Sequence, residues 1–353
     1  MESVSTCPVH SRHHLTTGLT GWSIIRPGPI NWSVKEGPYM REVDTVKVAV
    51  IQSASVMMDL DASLEKASHL IAEAARNGSD LTVFPEVFLS GYPRGLTFGT
   101  VVGSRDERGR KDWGRYWRSA ISVPSKETDQ LSQVICEAHT YVVMGVVERA
   151  DHGSQGTLYG TMLYFGPDGT LLGKHRKLKP TGSERLIWGE GDGSTLTVID
   201  TPFGRMGGLI CWENYMPLAR AAMYEKGVTI YLAPTADARD TWQATLQHIA
   251  LEGRCFVLAC NQYVTKDMYP KDLACFSDLD ESSDELCRGG SAIISPLGQY
   301  IQGPLYHQEG ILYADLDLAQ IEEARFDFDV TGHYARPDVF TLVVNERSRH
   351  NVP

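Results

Sequence analysis

Short apolar runs alternate with amphipathic stretches from Val46 onward. Residues 46–51 and 81–84 read as buried strands, because a strand covered on both faces shows a continuous apolar run. Between them, Leu64, Ala67, Ile71 and Ala74 line one face of a helix that Asp61 opens and Asn77-Gly78 stops, as a left-handed cap does. Leu131, Val134, Ile135 and Ala138 mark a second amphipathic helix. Strands over 141–147 and 158–165 follow, then a Gly166-Pro167-Asp168-Gly169 turn. The second half has the same rhythm, with strands expected over 195–199, 206–210, 228–233, 256–260, 291–295 and 311–314. Its helices run from Pro217 to Gly227 and, through Trp242, Leu246, Ile249 and Ala250, to Gly253. No sequence repeat and no long linker follows Val46, which predicts one α+β domain with helices packed on sheets.

That domain is expected over 45–346, between an unpatterned extension at 1–44 and a tail at 347–353. The extension lacks the basic start, apolar run and cleavage site of a signal peptide. It reads as a disordered arm, or as an upstream extension with Met40 as the initiator. His10, His13 and His14 within it lack Cys or carboxylate partners at ligand spacing.

Composition narrows the classes. With 42% hydrophobic residues in 353, the chain can bury a sizeable core. A net charge of −11 argues against nucleic-acid and anionic-membrane partners. No run approaches the roughly 18 apolar residues that span a bilayer. Seven cysteines without framework spacing suit a reducing cytoplasm.

Three segments carry candidate chemistry. In Val83-Phe84-Pro85-Glu86 a carboxylate follows a buried strand, ahead of Ser90-Gly91-Tyr92-Pro93-Arg94-Gly95. Burial there would raise its pKa and fit it for general-base work; taken alone, Glu86 reads first as a surface residue at a strand end. In Gly173-Lys174-His175-Arg176-Lys177-Leu178-Lys179 the density of charge reads alone as a solvated basic loop, with Lys177 as a possible stabiliser of a developing anion. In Gly207-Gly208-Leu209-Ile210-Cys211-Trp212-Glu213-Asn214 a thiol sits between an apolar strand and a Pro-opened helix. A sharp turn there would expose the sulfur, and a helix N-terminus would favour thiolate. The alternative, a buried inert cysteine, is the reading kept for Cys136, Cys255, Cys260, Cys275 and Cys287. Glu190 and Asp192 read as a turn, the acidic 278–285 stretch as a solvated loop, and His175 and His248 as packing or hydrogen-bonding residues.

Taken in order, with about 90 and about 34 residues between them, these segments resemble the nitrilase branch of the carbon–nitrogen hydrolase superfamily. The likeness runs from Val46 to about Glu346 and includes Ala233-Pro234-Thr235-Ala236-Asp237 and Gly332-His333-Tyr334-Ala335-Arg336-Pro337-Asp338. Cys-Trp-Glu-Asn and Gly-Tyr-Pro-Arg-Gly are most similar to plant-type nitrilases and their bacterial relatives. The resemblance implies a four-layer αββα sandwich, dimers that extend to spiral filaments, and neither metal nor organic cofactor. It implies Glu86 as general base, Lys177 as stabiliser of negative charge and proton donor, and Cys211 as nucleophile. A second glutamate maps onto Glu184, with Glu148 as second choice. Trp212 and Tyr92 are expected to border the substrate pocket, Tyr92 with less support. The implied reaction converts an organic nitrile to its acid and ammonia. Release of the amide, including by a cyanide or β-cyanoalanine specialist, is the nearest alternative; an amidase and an inactive scaffold rank below it.

Overall fold

A computed structural model describes residues 22–25 (backbone only), 42–150 and 156–349. His10, His13, His14 and Met40 lie outside the described residues. Trp22–Ile25 runs as a strand antiparallel to Leu342–Asn345.

Two sheets form the body. From edge to edge, one holds Gly310–Asp317, Thr45–Gln52, Leu81–Val83, Tyr141–Arg149, Leu158–Phe165 and Leu171–Arg176. The other holds Tyr263–Thr265, Glu285–Ile294, Phe256–Cys260, Ile230–Pro234, Gly204–Gly208 and Val198–Thr201, with Tyr300–Tyr306 also paired to Glu285–Ile294. In each, three consecutive parallel strands have antiparallel neighbours. The halves therefore share a topology that leaves no trace as sequence repetition.

Alternation sorts the side chains into layers. Val48, Val50, Val83 and Val143 of one sheet meet Met206, Leu232, Phe256 and Leu258 of the other in a shared inner core. The intervening positions face outward. Ile51, Val142 and Met144 pack beneath Leu64, Ala67 and Ile71 of the Leu60–Arg76 helix and Leu131 and Ile135 of the Lys126–Ala138 helix. On the far side, Tyr231, Ala233 and Val257 pack against Ala219 and Met223 of the Pro217–Glu225 helix and Trp242, Leu246 and Ile249 of the Asp240–Gly253 helix. The result is the expected αββα sandwich. Each large apolar side chain so buried stabilises it by about 1.5–3 kcal/mol.

Several expectations need correction. The first helix is capped by Asp59, whose side chain accepts from the Ala62 N–H at 3.1 Å, rather than by Asp61. The strand expected over 195–199 begins at Val198; Asp192 caps Ser194 and turns Gly193–Thr195 into a 3₁₀ turn instead. The basic segment is no solvated loop: Leu171–Arg176 is an edge strand, and His175, Arg176 and Lys177 are buried. The acidic stretch is partly held, since Asp278 accepts from Thr97, while Asp280, Glu281 and Asp284 are exposed. Among the described residues, no helix is long and apolar enough to cross a membrane.

Candidate active site

Glu86 lies on the loop after Leu81–Val83, where Val87 adopts φ 45°. The loop can settle on the neighbouring strand because residue 145 is glycine: a Cβ there would stand 2.0 Å from the Pro85 carbonyl oxygen. Lys177 directly follows the Leu171–Arg176 edge strand. Its N–H donates to the Gly160 carbonyl at 2.8 Å, and its own carbonyl accepts from Gly191 at 2.8 Å. Glu184 sits in the 3₁₀ turn Gly182–Leu186.

These three side chains meet. Lys177 Nζ donates to Glu86 Oε1 and to Glu184 Oε2, each at 2.7 Å. Glu184 Oε2 also accepts from the Thr181 N–H at 2.7 Å, and Oε1 accepts from the Tyr92 hydroxyl at 2.7 Å. Glu86 Oε2, by contrast, is buried with no hydrogen-bond partner among the described residues. Buried polar atoms are ordinarily paired, so an unpaired one marks a group that has work left to do.

Cys211 heads the 3₁₀ turn Cys211–Tyr215 with φ 53°, a left-handed conformation that costs a non-glycine residue energy. The approach to it depends on Gly208, where a Cβ would stand 1.9 Å from the Leu232 carbonyl oxygen. Cys211 Sγ accepts a hydrogen bond from Thr235 Oγ1 at 3.1 Å. The sulfur lines a cavity of about 440 Å³, walled also by Tyr92, Arg94, Glu184, Trp212 and Asp237. Trp212 is 39% exposed, and its Nε1–H donates to Asp237 Oδ2 at 2.8 Å. Both pocket expectations thus fall on cavity-lining residues.

Charge is unevenly poised. Burial pushes the Glu86 carboxyl up to about 7, with Lys177 pulling against it. Burial, then the charge of Glu86, pushes the Cys211 thiol up to about 12. Burial opposes the charge on Lys177, but Glu86, Cys211 and Glu184 outweigh it and hold the ammonium more firmly than usual. Burial beside a carboxylate thus works against the thiolate that a helix N-terminus was expected to favour. Five residues of 3₁₀ turn supply too little dipole to offset burial beside a carboxylate. The cluster can deprotonate a thiol only as the sulfur finds another partner, and it can hold a negative charge that develops near Lys177.

Other expectations fall where they were placed. Glu148 sits apart from Lys177, bound to Lys174, Arg176 and Thr161. Asp192 caps its turn, and Glu190 pairs with Lys179. His175 is buried between the Thr195 carbonyl and Glu213, and His248 is exposed near Glu252. Two site features escaped the sequence reading. Glu213 accepts from the Leu178 N–H at 2.6 Å and the Ile210 N–H at 2.7 Å, tying the residue after Lys177 to the residue before Cys211. Thr235 reaches the sulfur from the other side, and only its place in a five-residue motif had drawn notice.

The carbon-nitrogen hydrolase family model matches residues 47–326. An aliphatic nitrilase from Sinorhizobium fredii (strain HH103) is 54% identical over 87% of this chain and 97% of its own. A bifunctional nitrilase/nitrile hydratase from Nicotiana tabacum is 50% identical over 91% of this chain and 94% of its own. Among solved structures, a branch 10 member of the nitrilase superfamily from Saccharomyces cerevisiae superposes with a TM-score of 0.64 at 24% identity, covering 83% of this chain and 97% of that one; this likeness speaks to the fold. The chain belongs to the carbon–nitrogen hydrolase family, in its nitrilase branch.

Proposed function

We propose that the protein is a nitrilase that converts an organic nitrile to the carboxylic acid and ammonia through covalent intermediates on Cys211. The observation that carries this reading is the unpaired Oε2 of Glu86 in a cluster where Lys177 occupies its other oxygen. That oxygen takes the thiol proton as Cys211 Sγ bonds to the nitrile carbon. The π electrons move to nitrogen, whose charge Lys177 stabilises and which takes the thiol proton from Glu86 to give a thioimidate. Glu86, again ionised, draws a proton from water as it adds to that carbon. The tetrahedral intermediate expels ammonia and leaves a thioester, and a second water releases the acid and restores the thiol. Sulfur suits both ends of this cycle, as nucleophile and as leaving group. No metal or organic cofactor enters the scheme.

The amide is a second product in this reading. The tetrahedral intermediate can expel the thiol instead of ammonia, and the tobacco relative is named for both activities. The proposal extends to a cytoplasmic home and to self-assembly into dimers that can lengthen into filaments. Leu218, Tyr334, Val339 and Phe340, which are 54–75% exposed around a cavity of about 520 Å³, offer an apolar face for the assembly.

The test is a panel of aliphatic, aryl and cyano-acid nitriles with ammonia, acid and amide all quantified. It is joined to mass spectrometry of the reaction stalled by rapid acid quench. An acyl mass on the Cys211 peptide supports the reading, and an adduct on Cys255 or Cys260 overturns it.

A further inference from the structure

We infer that Thr235 is a catalytic residue, the hydroxyl donor that holds the charge on the Cys211 sulfur as the thiol proton leaves. The inference rests on the reading of Cys211 as nucleophile. Thr235 directly follows the buried strand Ile230–Pro234 and is itself 1% exposed. Its N–H donates to the Cys260 carbonyl at 2.8 Å, which fixes the backbone. Its hydroxyl oxygen accepts from the Asp237 N–H at 2.9 Å. A hydroxyl has a single proton, and with its oxygen engaged from the Asp237 side that proton points at Sγ, 3.1 Å away.

The direction matters for the chemistry. A donor aimed at sulfur does little for a neutral thiol and much more for a thiolate, because hydrogen bonds to ionised acceptors are the stronger ones. Lys177 holds Glu86 and Glu184 through its Nζ. The charge of Lys177 favours a thiolate as well, and Thr235 adds a direct hydrogen bond to the sulfur without adding a formal charge. The Asp237 loop keeps the donor in place: Asp237 pairs with Arg239 and accepts from Trp212, while the Asn261 side-chain amide donates to the Asp237 carbonyl at 2.9 Å.

The experiment compares the full-length protein with Thr235→Val, Thr235→Ala and Thr235→Ser. Iodoacetamide labelling is followed peptide by peptide across pH; the S–C bond forms, iodide leaves and the thiol proton passes to Glu86. Exposed Cys136 serves as internal reference. In Thr235→Val and Thr235→Ala, labelling of Cys211 and kcat fall by about 10- to 100-fold, the loss expected of a hydrogen bond to a charged group. The pH midpoint for Cys211 labelling rises, Cys136 is unchanged, and Thr235→Ser restores most of the rate. Wild-type behaviour of the Val and Ala variants overturns the inference. So does a Ser variant as slow as Val, which would assign the effect to the methyl group. So does loss of the fold in both Val and Ala variants by circular dichroism, which would make Thr235 structural. Full turnover after Cys211 is labelled in the unmutated protein overturns the nucleophile reading itself, and the Thr235 role with it.

Discussion

Two buried carboxylates lie beside the last residue of one edge strand and the residue that follows it. Arg176 reaches Glu148, and Lys177 reaches Glu86. All the hydrogen-bonding capacity of Glu148 is engaged: Oε1 accepts from Lys174 at 2.6 Å and Arg176 at 2.7 Å, and Oε2 from Thr161 at 2.8 Å and Arg176 Nε at 2.9 Å. Glu86 has one oxygen on Lys177 and one with no hydrogen-bond partner among the described residues. A carboxylate with both oxygens fully engaged has no free site at which to take a proton. A half-saturated one, with burial pushing its pKa to about 7, can accept and return one. The difference separates a structural charge cluster from a chemical one within a single turn of chain.

The largest expected effect lies on the chemical side. Cys211→Ala reduces ammonia release to the uncatalysed background while circular dichroism and assembly stay unchanged; measurable turnover by the purified variant breaks the comparison at its root. Glu86→Gln comes next, lowering kcat by about 10²–10⁴-fold, the usual range for losing a general base. Glu148→Gln is its mirror. It retains activity per folded molecule within a few-fold but loses about 3–5 kcal/mol in urea unfolding, as expected when a buried ion cluster loses a partner. If the Glu148 variant loses turnover and keeps its stability, the assignment of the two clusters is reversed.

The sequence does not separate these two glutamates. Each follows an apolar run, and only the cross-chain partners tell them apart. What was legible was chemistry placed at strand ends: Glu86 and Cys211 come after short buried strands that the apolar runs located, along with the main helices, whereas Lys177 follows the Leu171–Arg176 edge strand, which its density of charge disguised as a loop. What was illegible depended on contact between distant segments. The Thr235 hydroxyl acts on a sulfur 24 residues away, and Gly145 earns its role only where the Pro85 carbonyl lands. The Glu107–Ser119 helix was invisible for a related reason. Its buried face is Gly109, Asp112, Tyr116 and Ser119, which carry no apolar period.

A pH profile sharpens the contrast at intermediate size. Glu86 must be ionised to take the thiol proton, so kcat/KM falls as pH drops through about 7, approaching tenfold per unit below it. Burial is the main cause of that position, and Lys177 opposes it. Lys177→Met, which removes the opposing charge, therefore moves the acid limb upward in whatever activity remains. An acid limb that stays at an ordinary carboxylate position near 4.5 would mean that another group gates the rate.

The smallest effect decides where Glu184 belongs. It touches Lys177, which places it with Glu86. Yet, like those of Glu148, both its oxygens are engaged: Oε1 accepts from Tyr92, and Oε2 from Lys177 and Thr181. Engagement of both oxygens argues that Glu184 positions the ammonium and does not itself carry protons. Tyr92→Phe frees one oxygen while keeping the aromatic wall, whose ring packs edge-on to Trp188 with centroids 5.6 Å apart. A lost neutral-to-charged hydrogen bond predicts a fall in kcat of about 10-fold with KM nearly constant. A rise in KM instead would make Tyr92 chiefly a pocket wall. A new titration in the kcat profile would show that Glu184, with one oxygen freed, shuttles protons as Glu86 does, and engagement of both oxygens would then be the property that keeps the two carboxylates of one lysine in different roles.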